Sequence, residues 1–167
     1  MLFGKLVFLT FGLYWVLKMA GITFNGDFMK RLEYSAHLKW DGNVGSEAKV
    51  REFTFHIDTN TDGHNKGPNP TEYLLAAIGG CLTVNWGRLI KKMRLDVKGF
   101  EVEVRGWRGL DEPQLKEITY KITVFTNEDE KKIMRVKELA EKYGTVFNTV
   151  GAEKIKGEVE IIKPADP

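Results

Sequence analysis

Cysteine is almost missing from this chain: 167 residues contain one, Cys81. A single thiol excludes an internal disulfide framework and any cysteine-rich metal site, and it fits a reducing, cytoplasmic compartment. Histidine occurs three times, as His37, His56 and His64, with no His-x-x-x-His spacing and no carboxylate cluster beside it, so neither a metal nor another cofactor is expected. His64, in a polar loop, is the one that could reach a site, with plain solvation as the alternative. Neither sign of charge dominates: 25 Lys and Arg stand against 23 Asp and Glu, which leaves no basic footprint for nucleic acid. Glutamine appears once, at Gln114, among abundant Lys and Glu, a composition that leans toward a heat-adapted source. There are no repeats or low-complexity tracts.

The N-terminus also falls short of a membrane span, which takes about 20 apolar residues. Leu6–Leu17 is an uncharged apolar run of twelve, flanked by Lys5 and Lys18. Lysine before such a run outlines a secretory signal, but Lys18-Met19-Ala20 makes a poor Ala-x-Ala cleavage site. The plainer expectation is an upstream extension or a misassigned start, since Met19 and Met29 both precede the remaining pattern; a helix packed onto the domain is the other option. Residues 1–28 are therefore set apart from a single domain over 29–167, long enough for one sizeable core. No firm membrane association is expected.

Within that domain Leu32, Tyr34, Ala36, Leu38 and Trp40 alternate with polar residues, the period of a half-buried strand. Asp41-Gly42-Asn43 supplies a turn, and Ala48–Asp58 reads as a second strand with Phe53, Phe55 and Ile57 on one face. A polar loop over 59–68 then leads to a strong helix start. Asn69 is placed to cap, Pro70 to open the first turn, and Glu72 to complete a capping box. From Tyr73 to Cys81 no side chain is charged, so the helix is expected to be central and buried, running to about Met93. Gly79 and Gly80 lie in its interior, where each costs about 1 kcal/mol against alanine; that cost predicts close contact with another backbone.

Two further alternating runs, Val97–Trp107 and Leu115–Thr126, form a hairpin broken by Asp111-Glu112-Pro113. Asn127 and Glu130 make a second capping box for a helix carrying Ile133, Val136, Leu139, Ala140 and Tyr143. Gly144 ends that helix, a short helical turn follows through Val150, and Ile155, Val159 and Ile161 mark a last strand. The order β-β-α-β-β-α-α-β describes an α+β domain. Trp40, Trp86 and Trp107 are expected in the core or a dimer interface.

Pro70-Thr-Glu-Tyr-Leu-Leu-Ala-Ala-Ile-Gly-Gly-Cys81 resembles the signature helix of the OsmC/Ohr superfamily, and its wording is similar to the YhfA-type branch. The resemblance extends over about residues 30–163. It implies an OsmC-like fold in which two chains interlock around paired central helices. It also implies a reactive thiol at Cys81, reduction of small organic hydroperoxides, and an external thiol reductant. Without the resemblance, Cys81 reads more simply as a small buried hydrophobe.

Departures from the family pattern shape the chemistry expected. The family's Glu follows the motif's Pro directly; here that place is Thr71, and Glu72, one residue on, is turned by about 100°. Glu72 is thus a candidate orienter of the thiol but more simply a cap. The family's Arg lies near positions 41–45, where this chain has none. Arg51 on the next strand is a candidate thiolate stabiliser, with an exposed strand arginine as the alternative. The family's second, resolving cysteine corresponds to Gly144, so an oxidised Cys81 has no partner in its own chain. Asn85, one turn past Cys81, can hydrogen-bond the sulfur or make a helix-to-helix contact. Two functions follow: a single-cysteine hydroperoxide reductase, or a non-catalytic dimer holding a small apolar ligand near Cys81.

Overall fold

The computed structural model describes residues 31–59 and 61–164. The chain divides into two units, one through Ser35 and one from Ala36. In the first, residues 31–35 form no strand or helix, and Leu32 and Tyr34 are exposed. The apolar N-terminal run and the proposed extension over 1–28 lie outside the described residues.

The second unit opens with a three-stranded antiparallel meander: β1 (His37–Trp40), β2 (Ser46–Val50) and β3 (Phe53–Ile57). Two expectations change here. The first strand starts at His37, not near Leu32, because only from His37 on does β2 offer pairing partners. The second strand is two strands, folded back at Arg51-Glu52. Arg51 takes the left-handed conformation there, φ 54°, a turn made without the Gly, Asn or Asp that would announce it. The register sets Leu38 beside Ala48 and Phe55, and Trp40 beside Ser46 and Ile57. Apolar side chains therefore share one face of the meander, while Lys39, Glu47, Lys49 and His56 take the other.

Asp58 ends β3 and ties the following loop together. Its side chain is buried and accepts backbone N–H bonds from Thr59 at 2.7 Å, His64 at 3.2 Å and Lys66 at 3.0 Å. These donors, Lys66 first, hold the carboxyl below the usual carboxylate range. The loop delivers the chain to helix α1, Pro70–Met93. The expected capping box is present: Glu72 N–H donates to Asn69 Oδ1 at 3.0 Å and Asn69 N–H to Glu72 Oε2 at 2.7 Å. Tyr73 fastens this first turn to the meander, donating to the His56 carbonyl at 2.8 Å with its ring 5.2 Å from Phe55.

A second sheet holds β4 (Val97–Trp107), β5 (Glu117–Thr126) and β6 (Ile155–Ile162), with β6 parallel to β5. A parallel pair needs a crossover, and helices α2 (Glu130–Tyr143) and α3 (Thr145–Val150) provide it. The cap of α2 is Asp129, which accepts from Lys131 N–H at 2.8 Å, rather than the expected Asn127. Ile118, Tyr120, Ile122, Val124 and Thr126 point from β5 into the core, meeting Ile78, Leu82 and Trp86 of α1 and Ile133, Val136 and Ala140 of α2. Each large side chain buried here contributes roughly 1.5–3 kcal/mol. Gly157 leaves room for Tyr120: a Cβ there would lie 1.9 Å from the ring. The tyrosine thus crosses β6 to donate to Glu141 Oε1 at 2.7 Å, and burial together with that carboxylate pushes its ionisation far up.

The sheet and its two crossover helices cover only one side of α1. Trp86 is in the core, whereas Trp40 and Trp107 stand 70% and 60% exposed. Ala76, Ala77, Gly80, Thr83, Val84 and Gly87 are likewise exposed, so the described residues bury the helix on one face only.

Candidate active site around Cys81

Helical periodicity explains the position of Cys81. Ile78, Leu82 and Trp86 recur at four-residue spacing and anchor α1 in the core. Cys81 precedes Leu82 by one residue, so it turns from the core centre toward the margin where Ala77 and Val84 lie exposed. The thiol is free and half-buried.

Two groups flank its sulfur. The Asn85 carboxamide donates from Nδ2 to the Cys81 carbonyl at 2.9 Å and approaches Sγ at 3.6 Å. The carbonyl accepts only a donor, which settles that the NH2 end faces Cys81. Of the two readings open for Asn85, the sulfur contact is present in this chain. On the other flank stands Gly144, at the junction of α2 and α3: a Cβ built there would lie 3.3 Å from Sγ. The position matched to the family's second cysteine is therefore spatially adjacent to Cys81, and it carries no side chain.

Other sequence candidates sit elsewhere. Glu72 is engaged in the capping box of α1. Arg51 lies at the β2–β3 turn with its guanidinium 5.0 Å from the Phe53 ring centre, a cation–π contact at the meander's edge. His64 meets Asn43, Nδ1 to Nδ2 at 3.4 Å; His37 and His56 are exposed strand residues. Among the described residues no three His, Cys, Asp or Glu side chains converge as metal ligands.

The two interior glycines separate. Gly79 faces this chain's own β4, where a Cβ would come 3.1 Å from Val104 Cγ2, while among the described residues Gly80 meets nothing within 4 Å. Gly87 is equally open and continues the exposed small-residue stripe from Gly80, a member that the sequence reading missed although its seven-residue spacing from Gly80 is visible. A groove of about 440 Å³ runs along this stripe beside β4. A second cavity, about 580 Å³, opens by the first turns of α1, with Leu74, Leu115, Ile118 and Val150 on its walls and Arg108 and Lys154 at its rim. Cys81 lines neither. Among the described helices α1 alone has the length and apolarity to cross a membrane, yet its anchored face and capped start are those of a core helix.

Comparison with known proteins agrees with this arrangement. A family model described as OsmC-like protein matches residues 63–160. The chain belongs to the OsmC-like family. Solved structures share the fold. An OsmC-like protein from Mycoplasma pneumoniae superposes with a TM-score of 0.70 at 18% identity, over 82% of this chain and 100% of its own. A hypothetical protein from Aquifex aeolicus VF5 gives 0.66 at 26% identity, over 79% and 99%. An organic hydroperoxide resistance protein from Elizabethkingia anophelis gives 0.63 at 16% identity, over 81% and 100%. No curated protein matches the sequence. Some of the solved structures that share this fold are named for organic hydroperoxide resistance.

Proposed function

We propose that this OsmC-like protein reduces small organic hydroperoxides through Cys81, as a homodimer, with an external thiol as reductant. The carrying observation is the setting of the thiol: half-buried at the margin of the uncovered face of α1, with a carboxamide donor on one flank and Gly144 on the other. In the first step the thiolate attacks the distal peroxide oxygen. The O–O bond breaks, an S–O bond forms, sulfur is oxidised by two electrons, and the alcohol leaves with a proton. With Gly144 in the resolving position, an external thiol then attacks the sulfenic sulfur and releases water. A second external thiol frees Cys81 and departs as a disulfide.

The dimer follows from apolar surface the single chain leaves uncovered. Leu38, Trp40 and Phe53 are 52%, 70% and 54% exposed on one face of the meander, and the small-residue stripe of α1 is open as well. A patch of that kind marks an association surface, and a second copy of this chain is the occupant proposed. Glu72 and Arg51 act in the cap and the β2–β3 turn of their own chain. A cytoplasmic setting suits a lone thiol kept reduced.

The cavity beside Leu74 and Val150 supports a second reading, a ligand binder without turnover whose ligand sits away from Cys81, which does not line it. One experiment separates the two. Purified protein, cumene hydroperoxide and a dithiol are combined, and hydroperoxide loss is followed. The enzyme reading expects catalytic consumption that Cys81→Ser reduces to the uncatalysed rate while the protein stays folded. Equal consumption by the wild type and Cys81→Ser would end it.

A further inference from the structure

Resting on that reading, we infer that Asn85 holds the sulfenate oxygen on Cys81 and so prolongs the life of an intermediate that has no resolving cysteine. Three observations meet at one atom. Gly144 occupies the flank where an intrachain thiol would stand, its Cβ position 3.3 Å from Sγ, so the oxidised sulfur must wait for a diffusing reductant. Asn85 Nδ2 lies 3.6 Å from the same sulfur. A carboxamide has two N–H donors, and one is fixed on the Cys81 carbonyl at 2.9 Å. That bond aims the second donor at the sulfur and holds it there before reaction. An oxygen added to Sγ on this side comes within the usual hydrogen-bond reach of about 2.9 Å.

The chemistry gives this contact a consequence. The competing loss of sulfenate is a second oxidation: sulfenate and hydroperoxide yield sulfinate and alcohol, with sulfur losing two more electrons. The sulfenate sulfur is the nucleophile in that step. Donation from Asn85 keeps negative charge on oxygen and makes the sulfur a poorer nucleophile. A diffusing thiol attacks sulfur as an electrophile, so the same hydrogen bond does not oppose reduction.

A backbone-capping role is separable from this one, and the protein supplies the control. Thr83 and Thr149 each donate to the carbonyl four residues back, at 2.9 and 2.8 Å. Serine at position 85 can make the same short bond to the Cys81 carbonyl, but its hydroxyl then has no donor left for the sulfur. Wild type, Asn85→Ala and Asn85→Ser are treated with a fixed excess of cumene hydroperoxide without thiol. Aliquots are quenched with a cyclic 1,3-dione, which traps sulfenic acid, and sulfenate and sulfinate are counted by intact mass.

The half-life of trappable sulfenate should fall at least about fivefold in both variants, the worth of one modest hydrogen bond, with sulfinate rising in step. Melting curves check that both variants are folded. A sulfenate that lasts as long in Asn85→Ser as in wild type would overturn the assignment and leave only the backbone cap. A wild-type Cys81 that forms no sulfenate would overturn the hydroperoxide reading and this inference together, so the two failures are distinguishable.

Discussion

Restoring a thiol at position 144 is the sharpest perturbation the structure suggests. Gly144 has φ −71° and ψ 109°, an extended conformation open to any L residue, so Gly144→Cys carries no backbone strain. A Cβ there would lie 3.3 Å from Cys81 Sγ, close to the roughly 3.0 Å that separates a Cβ from the far sulfur when an S–S bond of about 2.05 Å joins the two residues. The new atom would also stand 2.9 Å from the Ala140 carbonyl oxygen and 3.1 Å from Phe147 Cβ, tighter than ordinary packing. The reduced variant should lose about 1–3 kcal/mol to that crowding. Oxidation closes a loop of about 64 residues, for which chain entropy predicts roughly 4 kcal/mol of stabilisation. The oxidised variant should therefore be the more stable form by a few kcal/mol and melt several degrees above the reduced one.

Intact mass after stoichiometric hydroperoxide should show the loss of two hydrogens and no dione adduct, because the introduced thiol would intercept the sulfenate. Excess hydroperoxide should then stop at the disulfide instead of proceeding to sulfinic acid. A free thiol persisting at position 144 of a folded variant after oxidation, with sulfinate accumulating on Cys81 as in the wild type, would refute the placement of Gly144 beside Cys81.

Other consequences are as direct. Gly80→Leu should dissociate the proposed dimer in sedimentation while leaving the monomer folded, because Gly80 meets nothing within 4 Å among the described residues; Gly79→Leu should lower stability itself, since its Cβ position is 3.1 Å from Val104 Cγ2. Asn69→Ala should cost about 1 kcal/mol in denaturant melts by removing the side-chain half of the capping box. Asp58 is held below its ordinary value by backbone donors, so the stability it contributes is complete above about pH 5 and is lost as pH falls through about 4 and below. Asp58→Asn should lose that contribution at neutral pH and show a shallower acid limb; identical acid limbs would show that the carboxylate is not what ties the loop.

How much of this was legible beforehand depended on whether a signal was local. Helix α1 was readable to its ends because Asn69, Pro70 and Glu72 act within one turn and the apolar run follows at once. The β2–β3 reversal was not, since Arg51-Glu52 contains no turn residue and Arg51 takes its positive φ under the pairing of the flanking strands. Asp129 displaced Asn127 as the cap of α2 because Thr126, still in β5, donates to the Asp96 carbonyl and accepts from Glu128 N–H, which keeps the chain extended two residues longer. Leu32 and Tyr34 alternate as a strand does but find no neighbouring strand, and alternation without a partner makes no sheet.

The site divides along the same line. Asn85 could be placed beside Cys81 from the helical period alone, and Gly144 from the family pattern, but the roles of adjacent residues needed the fold. One residue turns a helix by about 100°. That rotation sends Gly79 to this chain's β4 and Gly80 to open space, although in sequence they looked like one feature. It also bears on the missing family acid. Glu72 is held to the first turn by its bond with Asn69 N–H, and Arg51 rests on Phe53 at the far end of a hairpin turn. Neither side chain is free in this chain to attend the thiol, whereas the Asn85 carboxamide already approaches Sγ at 3.6 Å. One neutral donor and a side-chain-free flank thus border the sulfur, and under the proposed hydroperoxide chemistry that setting would suit an oxidised Cys81 that waits for a thiol from solution.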